Sequence, residues 1–492
     1  MFWYEKPRFY SHRLVRCPVV FLGNALLDDS STYAYLNYAA SDFEQFSLLA
    51  TLSTAATIVN AVSQLPLSKI SDVLERWIAI AFCLVCQTVA FVLMAASSSL
   101  SMYAAGYLVY SFGLTGLNIL GQIVVADLTS SRVRALAIAC FYIPSIFAPW
   151  AASFMIDAVI GTIGWRWGVG IFAIFYPGVK LSVRRFCSEI DLGGNLLLCA
   201  AFTMILLPIT LAGTGDQTFD TMYLRVLLTL GVCSFIGLLA YEYWCVNYPV
   251  LPFRYFRNLT IVAVLAMAFC DYLAHFATHT YLFSWALVAR NFSPREANFL
   301  NLTNLVAQVV IGIPAGLLVY KLKKYKWVLI AGAAIRIVGY GVMLRLGGAK
   351  NPVAELYIAQ VVQDIGSGIL ESLMVVAVQV AVPHSELAQA TSVFSLFRFT
   401  GAAVGSAVAG GIYNNLYSTK LAQYLGPDVD KAMIGMLVES IAASVLPDWG
   451  SPERLAAMRA YSDATRYLVI AAVAASVPIL LLSVILPNPA LV

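Results

Sequence analysis

A chain of 492 residues that is 60% hydrophobic and only 11% charged, with a mean hydropathy of +0.80, cannot cover a water-soluble globule of its size; soluble domains carry about 25% charged residues. The formal net charge of +4 singles out no acidic partner, and nucleic acid is not expected among the partners. Lipid offers backbone amides no hydrogen bonds, so the chain must close them within helices or a barrel. The apolar stretches run for about twenty residues, not the roughly ten alternating residues of a barrel strand, and the expected class is all-α.

Hydropathy predicts fourteen spans, at 15–37, 46–66, 77–97, 101–124, 133–159, 165–183, 191–212, 222–243, 260–289, 298–320, 327–346, 355–381, 388–414 and 465–487. The first thirty residues do not read as a cleavable signal peptide, because no small-residue cleavage site follows the apolar stretch. The first helix ends in Asp28-Asp29 and then Tyr33, Tyr35 and Tyr38. Tyr35 and Tyr38 are three apart and share a face, which suits either a cavity for a large polar ligand with apolar edges or an interfacial aromatic belt.

The loop after the second span holds Lys69, Asp72 and Arg76, with Glu75 between them. An acid with bases three before and four after can tie two half-bundles together and break on rocking, or it can simply flank the membrane. Asp127, at the end of the fourth span, faces Arg132 and Arg134 at the start of the fifth, with the same two readings. Among the nine cysteines, Cys83 and Cys86 make a CxxC in mid-span and read as packing residues; neither a disulfide framework nor a metal site nor a cofactor is expected.

The sixth span is the weak one: Trp165 to Pro177 is thirteen residues, about 20 Å of helix against a bilayer core of roughly 30 Å. It is kept because charge requires it. With the N-terminus in the cytosol, the inside loops hold 17 basic residues, ending with Lys321, Lys323, Lys324 and Lys326. The short outside loops hold four, namely Arg290, Arg295, Arg345 and Lys350.

Ionisable groups deep in apolar helices carry the most chemistry, since each costs about 2.5 kcal/mol or more at the bilayer centre. Asp271, His275 and His279 follow one another on a single helical face, where a carboxylate beside imidazoles can accept and pass protons. Asp364 and Glu371, seven apart, share a face of the twelfth span, and Arg336 and Arg398 stand as counter-charges on its neighbours. Proton or substrate duty and structural pairing are both open for this set. Gly401, Gly405 and Ala409 form a small-residue stripe for close helix packing. Walker A and HExxH sequences are absent, so an enzyme is not expected.

Several stretches resemble the fungal siderophore–iron transporter family, a fourteen-helix branch of the major facilitator superfamily. They are Tyr33-Ala-Tyr35-Leu-Asn-Tyr38, Lys69-Ile-Ser-Asp72 with Arg76, Gln122-Ile-Val-Val-Ala-Asp127, Trp165-Arg166-Trp167-Gly168, Glu189-Ile-Asp191, Asp271 ahead of Thr280-Tyr281, Val382-Pro383-His384 and Gly401 to Ala407. The resemblance implies a bundle of two pseudo-symmetric six-helix halves, at 1–177 and 261–492, joined through two extra helices in 178–260. It implies proton-driven import of ferric hydroxamate siderophores by a carrier acting alone, at the plasma membrane or at an endosomal or vacuolar one. It also implies an extracytoplasmic loop at 415–464, and a gating motif in Lys69, Asp72 and Arg76.

The substrate-cavity candidates are Asp28, Tyr33, Tyr35, Tyr38, Gln122 and Tyr281. The proton-coupling candidates are Asp271, His275, His279, Asp364, Glu371 and Arg398; of these only Asp271 falls within the resemblance, and the others rest on the chemistry of buried charge alone. The chain departs from the family at Glu75, where a glycine is expected, and at 178–188, which nearly abolishes the central linker. The competing reading is a multidrug efflux antiporter of the same superfamily. It is disfavoured because the fifth span has Pro144 and Pro149 but lacks the Gly-Pro-Gly cluster expected of such antiporters.

Overall fold

The computed structural model describes residues 11–73, 76–129, 141–175, 222–244, 253–346, 352–383, 386–426, 431–439 and 447–487, with positions 137, 201, 204, 205 and 208. The described residues are helical and hold no strand. Nine of their helical spans are long and apolar enough to cross a bilayer. The first half contains α1 (Ser11–Asp42), α2 (Leu49–Val73), α3 (Arg76–Ala95), α4 (Leu100–Leu128), α5 (Ala148–Thr162) and α6 (Trp165–Phe175). A separate helix, α7 (Met222–Trp244), precedes the second half.

That half begins with α8 (Leu259–His279), α9 (Leu282–Arg290), α10 (Pro294–Leu322) and α11 (Lys326–Leu346). It continues through α12 (Val353–Val380), α13 (Leu387–Ile412), α14 (Ser418–Leu425), α15 (Lys431–Glu439) and α16 (Pro452–Ile485). Of the expected span at 133–159, residues 133–140 apart from 137 lie outside the described residues, as do all but four positions of the span at 191–212 and the part of the sixth span beyond residue 175.

One end of the bundle carries Arg76, Arg254, Arg257, Lys321, Lys323, Lys324 and Lys326, and is termed here the basic end. The opposite end, where α13 passes into α14 and α15, is the loop end. Helix starts are built as the chain chemistry dictates. Ser99 caps α4 by accepting from the Met102 amide, and Ser293 and Glu296 form a reciprocal capping box on α10.

Two expected boundaries differ from the structure. The ninth span, expected as one helix over 260–289, breaks at Thr280 and Tyr281 into α8 and α9. The expected loop 415–464 is largely helical: a π-turn at Tyr413–Tyr417 carries α13 on into α14, and α16 starts at Pro452. Hydropathy missed these turns because their polar residues fall below a membrane threshold while still suiting a helix outside it.

The small-residue stripe works as packing. A Cβ on Gly401 would lie 2.1 Å from the Phe269 carbonyl oxygen, and one on Gly405 would lie 2.5 Å from that of Leu273. Helices α8 and α13 are therefore in backbone contact. Helix α13 also packs against α2 and so joins the two halves, Gly410 facing Ala50.

Candidate functional site

The halves meet at the loop end through specific contacts. The Tyr33 hydroxyl donates to the Thr280 carbonyl, and the hydroxyls of Ser53 and Ser406 are 3.3 Å apart. Asn298 Nδ2 donates to Ser153 Oγ at 2.8 Å. Phe46 meets Tyr281 with ring centroids 6.5 Å apart, and Tyr38 meets Phe283 edge-on at 6.3 Å. Behind this seam four tyrosines cluster, three of them stacked. Tyr281 and Tyr413 lie 4.1 Å apart at 13°, Tyr413 and Tyr417 are 5.0 Å apart, and Tyr461 touches both of the latter.

Beneath the seam lies a cavity of about 330 Å³ between the halves. The first half contributes Asp29, Asn60, Thr115, Asn118, Gln122 and Tyr142; the second contributes Asp271, Tyr272, His275, Asn304, Gln308, Glu371 and Arg398. The lining reaches Gln122, Val375 and Phe394, within two turns of the basic ends of α4, α12 and α13. Towards the loop end it stops at His275 and Phe276, below the tyrosine stack. The cavity is therefore closed on the loop side and extends towards the basic end.

Glu371 and Arg398 pair at 2.5 Å. Glu371 also accepts from the Tyr272 hydroxyl at 3.0 Å and from the Gln308 amide. The Arg398 guanidinium sits 4.8 Å from the Tyr272 ring centroid and 4.9 Å from that of Phe399, so its charge is held on two aromatic faces as well. A second pair is more deeply set: Arg336 Nε lies 2.5 Å from Asp271 Oδ1, both side chains 1% exposed.

Asp364 is the third acid of this half. Its Oδ1 accepts from Asn304 Nδ2 at 2.6 Å, while its buried Oδ2 has no hydrogen-bond partner. Among these buried groups three carboxylates thus face two guanidiniums. Asp364 and Glu371 do share a helical face, as their spacing predicts, and that face meets Asn304 and Gln308, one turn apart on α10.

The imidazoles form a different arrangement from the expected relay. His275 and His279 stack with centroids 3.9 Å apart, but Asp271 turns to Arg336 rather than to His275. His275 lines the cavity, whereas His279 is buried, with its Nδ1 3.1 Å from Thr278 Oγ1.

Of the residues expected in the cavity, only Gln122 lines it, its amide donating to the Tyr142 hydroxyl at 2.7 Å. Asp28 is buried beneath Tyr110, whose hydroxyl donates to it at 2.9 Å. Tyr33, Tyr38 and Tyr281 are spent on the loop-end seam. Tyr35 is turned away onto Gly168, where a Cβ would lie 2.6 Å from its ring. The reason is periodicity: one residue after Asp28 the helix faces another way, so Asp29 takes the cavity position.

For the expected gating network, Arg76 opens α3. The side chains of Lys69, Asp72 and Asp127, and residues Arg132 and Arg134, lie outside the described residues. Sequence reasoning missed Asn60, Asn118, Asn304 and Gln308, although amides in the middle of apolar helices are a usable signal for a wet interior.

A family model described as Major Facilitator Superfamily matches residues 20–179 and 264–425. The chain is 28% identical to the "MFS siderochrome iron transporter C" of Aspergillus fumigatus, across 91% of this chain and 78% of that protein. It is 27% identical to the "Low affinity heme transporter str3" of Schizosaccharomyces pombe, across 92% of this chain and 77% of that one. In fold it is similar to a bacterial homologue of the human lysosomal transporter Spinster, solved in an inward-facing and unoccupied conformation. That likeness has a TM-score of 0.62 at 13% identity and covers 98% of each chain.

Proposed function

The chain belongs to the major facilitator superfamily, and from that premise we propose that it imports ferric hydroxamate siderophores, coupled to protons, by alternating access. The observation that carries this reading is the cavity between the halves, closed at the loop end and lined by amides, aromatic rings and carboxylates. Such a lining suits a bulky chelate with a polar rim and apolar linkers. At about 330 Å³ the cavity is at the lower end for small-molecule sites, so a large chelate enters with further parting of the halves at the basic end.

The basic end is cytosolic on the charge count, which makes the state described here inward-facing. Residues 1–177 and 261–492 are the rocking halves, and 178–260 links them. Lys69, Asp72, Arg76, Asp127, Arg132 and Arg134 tie their cytosolic ends when the carrier faces outwards. The name of the Aspergillus fumigatus relative and the motif resemblance support the cargo.

Coupling rests on the excess carboxylate. An isolated charged acid within the membrane is costly, so one of the three acids carries a proton, and Asp364 has the free oxygen to hold it. Asp271, Glu371 and Arg398 couple that proton to cargo at the cavity wall, and His275 and His279 extend the polar path towards the loop end. The carrier acts as a monomer, at the plasma membrane or in an endosomal or vacuolar membrane.

Haem, the cargo named for the Schizosaccharomyces pombe relative, is the competing reading, and the test includes it. Cells lacking their own carriers are given radiolabelled ferric hydroxamates or haemin, with and without a protonophore. Protonophore-sensitive uptake of the hydroxamate supports the proposal. Uptake of haemin alone, or of neither, overturns it.

A further inference from the structure

Four charged side chains line the cavity among the described residues, and three of them are accounted for within the protein. Glu371 and Arg398 neutralise each other, and Asp271 is matched by Arg336. Asp29 is the fourth. It sits in mid-helix on α1, is exposed to the cavity, and has no cationic partner among the described residues. The other lining residues of the first half bring no charge: Thr115 donates to Asn60 at 2.7 Å, and Gln122 to Tyr142 at 2.7 Å. Unlike the fully buried Asp364, Asp29 faces the cavity, where water keeps its carboxylate charged, so the site presents one uncompensated negative charge to whatever occupies it.

We infer that Asp29 makes this carrier selective for cationic ferric hydroxamates, its carboxylate receiving an ammonium group of the cargo. The inference rests on the import reading above and narrows its substrate class. The chemistry follows from charge balance. Three hydroxamate anions cancel the charge of a ferric ion, so a plain ferric trihydroxamate is neutral and leaves Asp29 unpaired as it displaces water. A linear trihydroxamate ending in an ammonium brings the missing positive charge. A carboxylate-bearing chelate, or haem with its propionates, brings charge of the wrong sign. In a low-dielectric cavity such a mismatch is far more costly than in water.

The test is built on two ligands that differ only in charge: a linear ferric trihydroxamate with a free terminal ammonium and its N-acetylated form. In cells expressing the wild-type carrier, the KM for the ammonium form is expected to be lower by about tenfold or more. Asp29→Asn is expected to bring the ratio of the two KM values close to one, and Asp29→Glu to retain it. Equal KM values for the two forms in the wild type overturn the inference while leaving hydroxamate import standing. A preference that survives in Asp29→Asn overturns it as well. Uptake of neither form by the wild type removes the import reading and the inference together. Because the wild-type comparison needs no variant, the inference stays exposed to refutation even where Asp29→Asn fails to reach the membrane.

Discussion

Arg336 and Asp271 form a buried ion pair, Nε to Oδ1 at 2.5 Å, with a further bond from Arg336 Nη2 to the Asp271 carbonyl at 3.2 Å. The pair bridges α11 and α8 in the middle of the second half, and its arginine stands 5.3 Å from the Tyr340 ring centroid. With both side chains only 1% exposed, each charge depends on the other.

Removing one partner should therefore be worse than removing both. Arg336→Met is expected to destabilise the folded carrier by about 3–5 kcal/mol by stranding Asp271, and the double variant Arg336→Met/Asp271→Leu to recover most of that loss. Thermal unfolding of the detergent-purified protein reads the difference. A double variant no more stable than the single one would show that the pair does not act as a unit.

Asp364→Asn copies the protonated acid and keeps a partner for Asn304. Exchange of labelled cargo across the membrane should stay within about twofold of wild type, while pH-gradient-driven accumulation falls by about tenfold or more. Counterflow and uphill uptake in proteoliposomes separate the two. Accumulation that persists in this variant would place the coupling proton elsewhere.

The Ser53 and Ser406 hydroxyls, 3.3 Å apart across the halves, are close enough to be replaced by a disulfide. Ser53→Cys/Ser406→Cys should lose transport under oxidising conditions and regain it on reduction, whereas either single variant should not respond. Full transport with the cross-link formed, scored by mass spectrometry, would mean that the loop-end seam does not open in the cycle.

Helix packing offers a control on backbone contact. Gly401→Ala should cost about 1–3 kcal/mol because its Cβ would collide with the Phe269 backbone. Gly411→Ala, with nothing within 4 Å of a new Cβ, should be neutral or slightly stabilising. Matched melting temperatures for the two variants would contradict the close approach of α8 and α13.

Much of the bundle was legible in the chain because lipid imposes one rule on every segment. The apolar runs became α2, α3, α4 and α10 to α13 near their expected positions. The buried acids and arginines were equally visible, since a charge such as Asp271 or Arg336 stands out inside an apolar run whether its duty is structural or functional. Partners were another matter. Asp271 was expected beside His275, which is near in sequence, but it pairs with Arg336, 65 residues away. Tyr33 and Tyr38 were read as cavity wall and instead close the loop end, while Tyr35 packs on Gly168, because a face shared along one helix does not say which neighbour that face meets.

Composition and periodicity by themselves determined that this chain crosses a bilayer many times, which end of the bundle is basic, and which ionisable groups must be buried. These are properties of each segment against its solvent, and a one-dimensional string records them. Only the tertiary structure decided that Asp29, not Asp28, meets the cavity, that Glu371 takes Arg398, and that Asp364 keeps an oxygen free. Those outcomes depend on the rotation and crossing of helices packed side by side. A turn of 100° per residue moves a side chain from lipid to cavity without changing the hydropathy of its span.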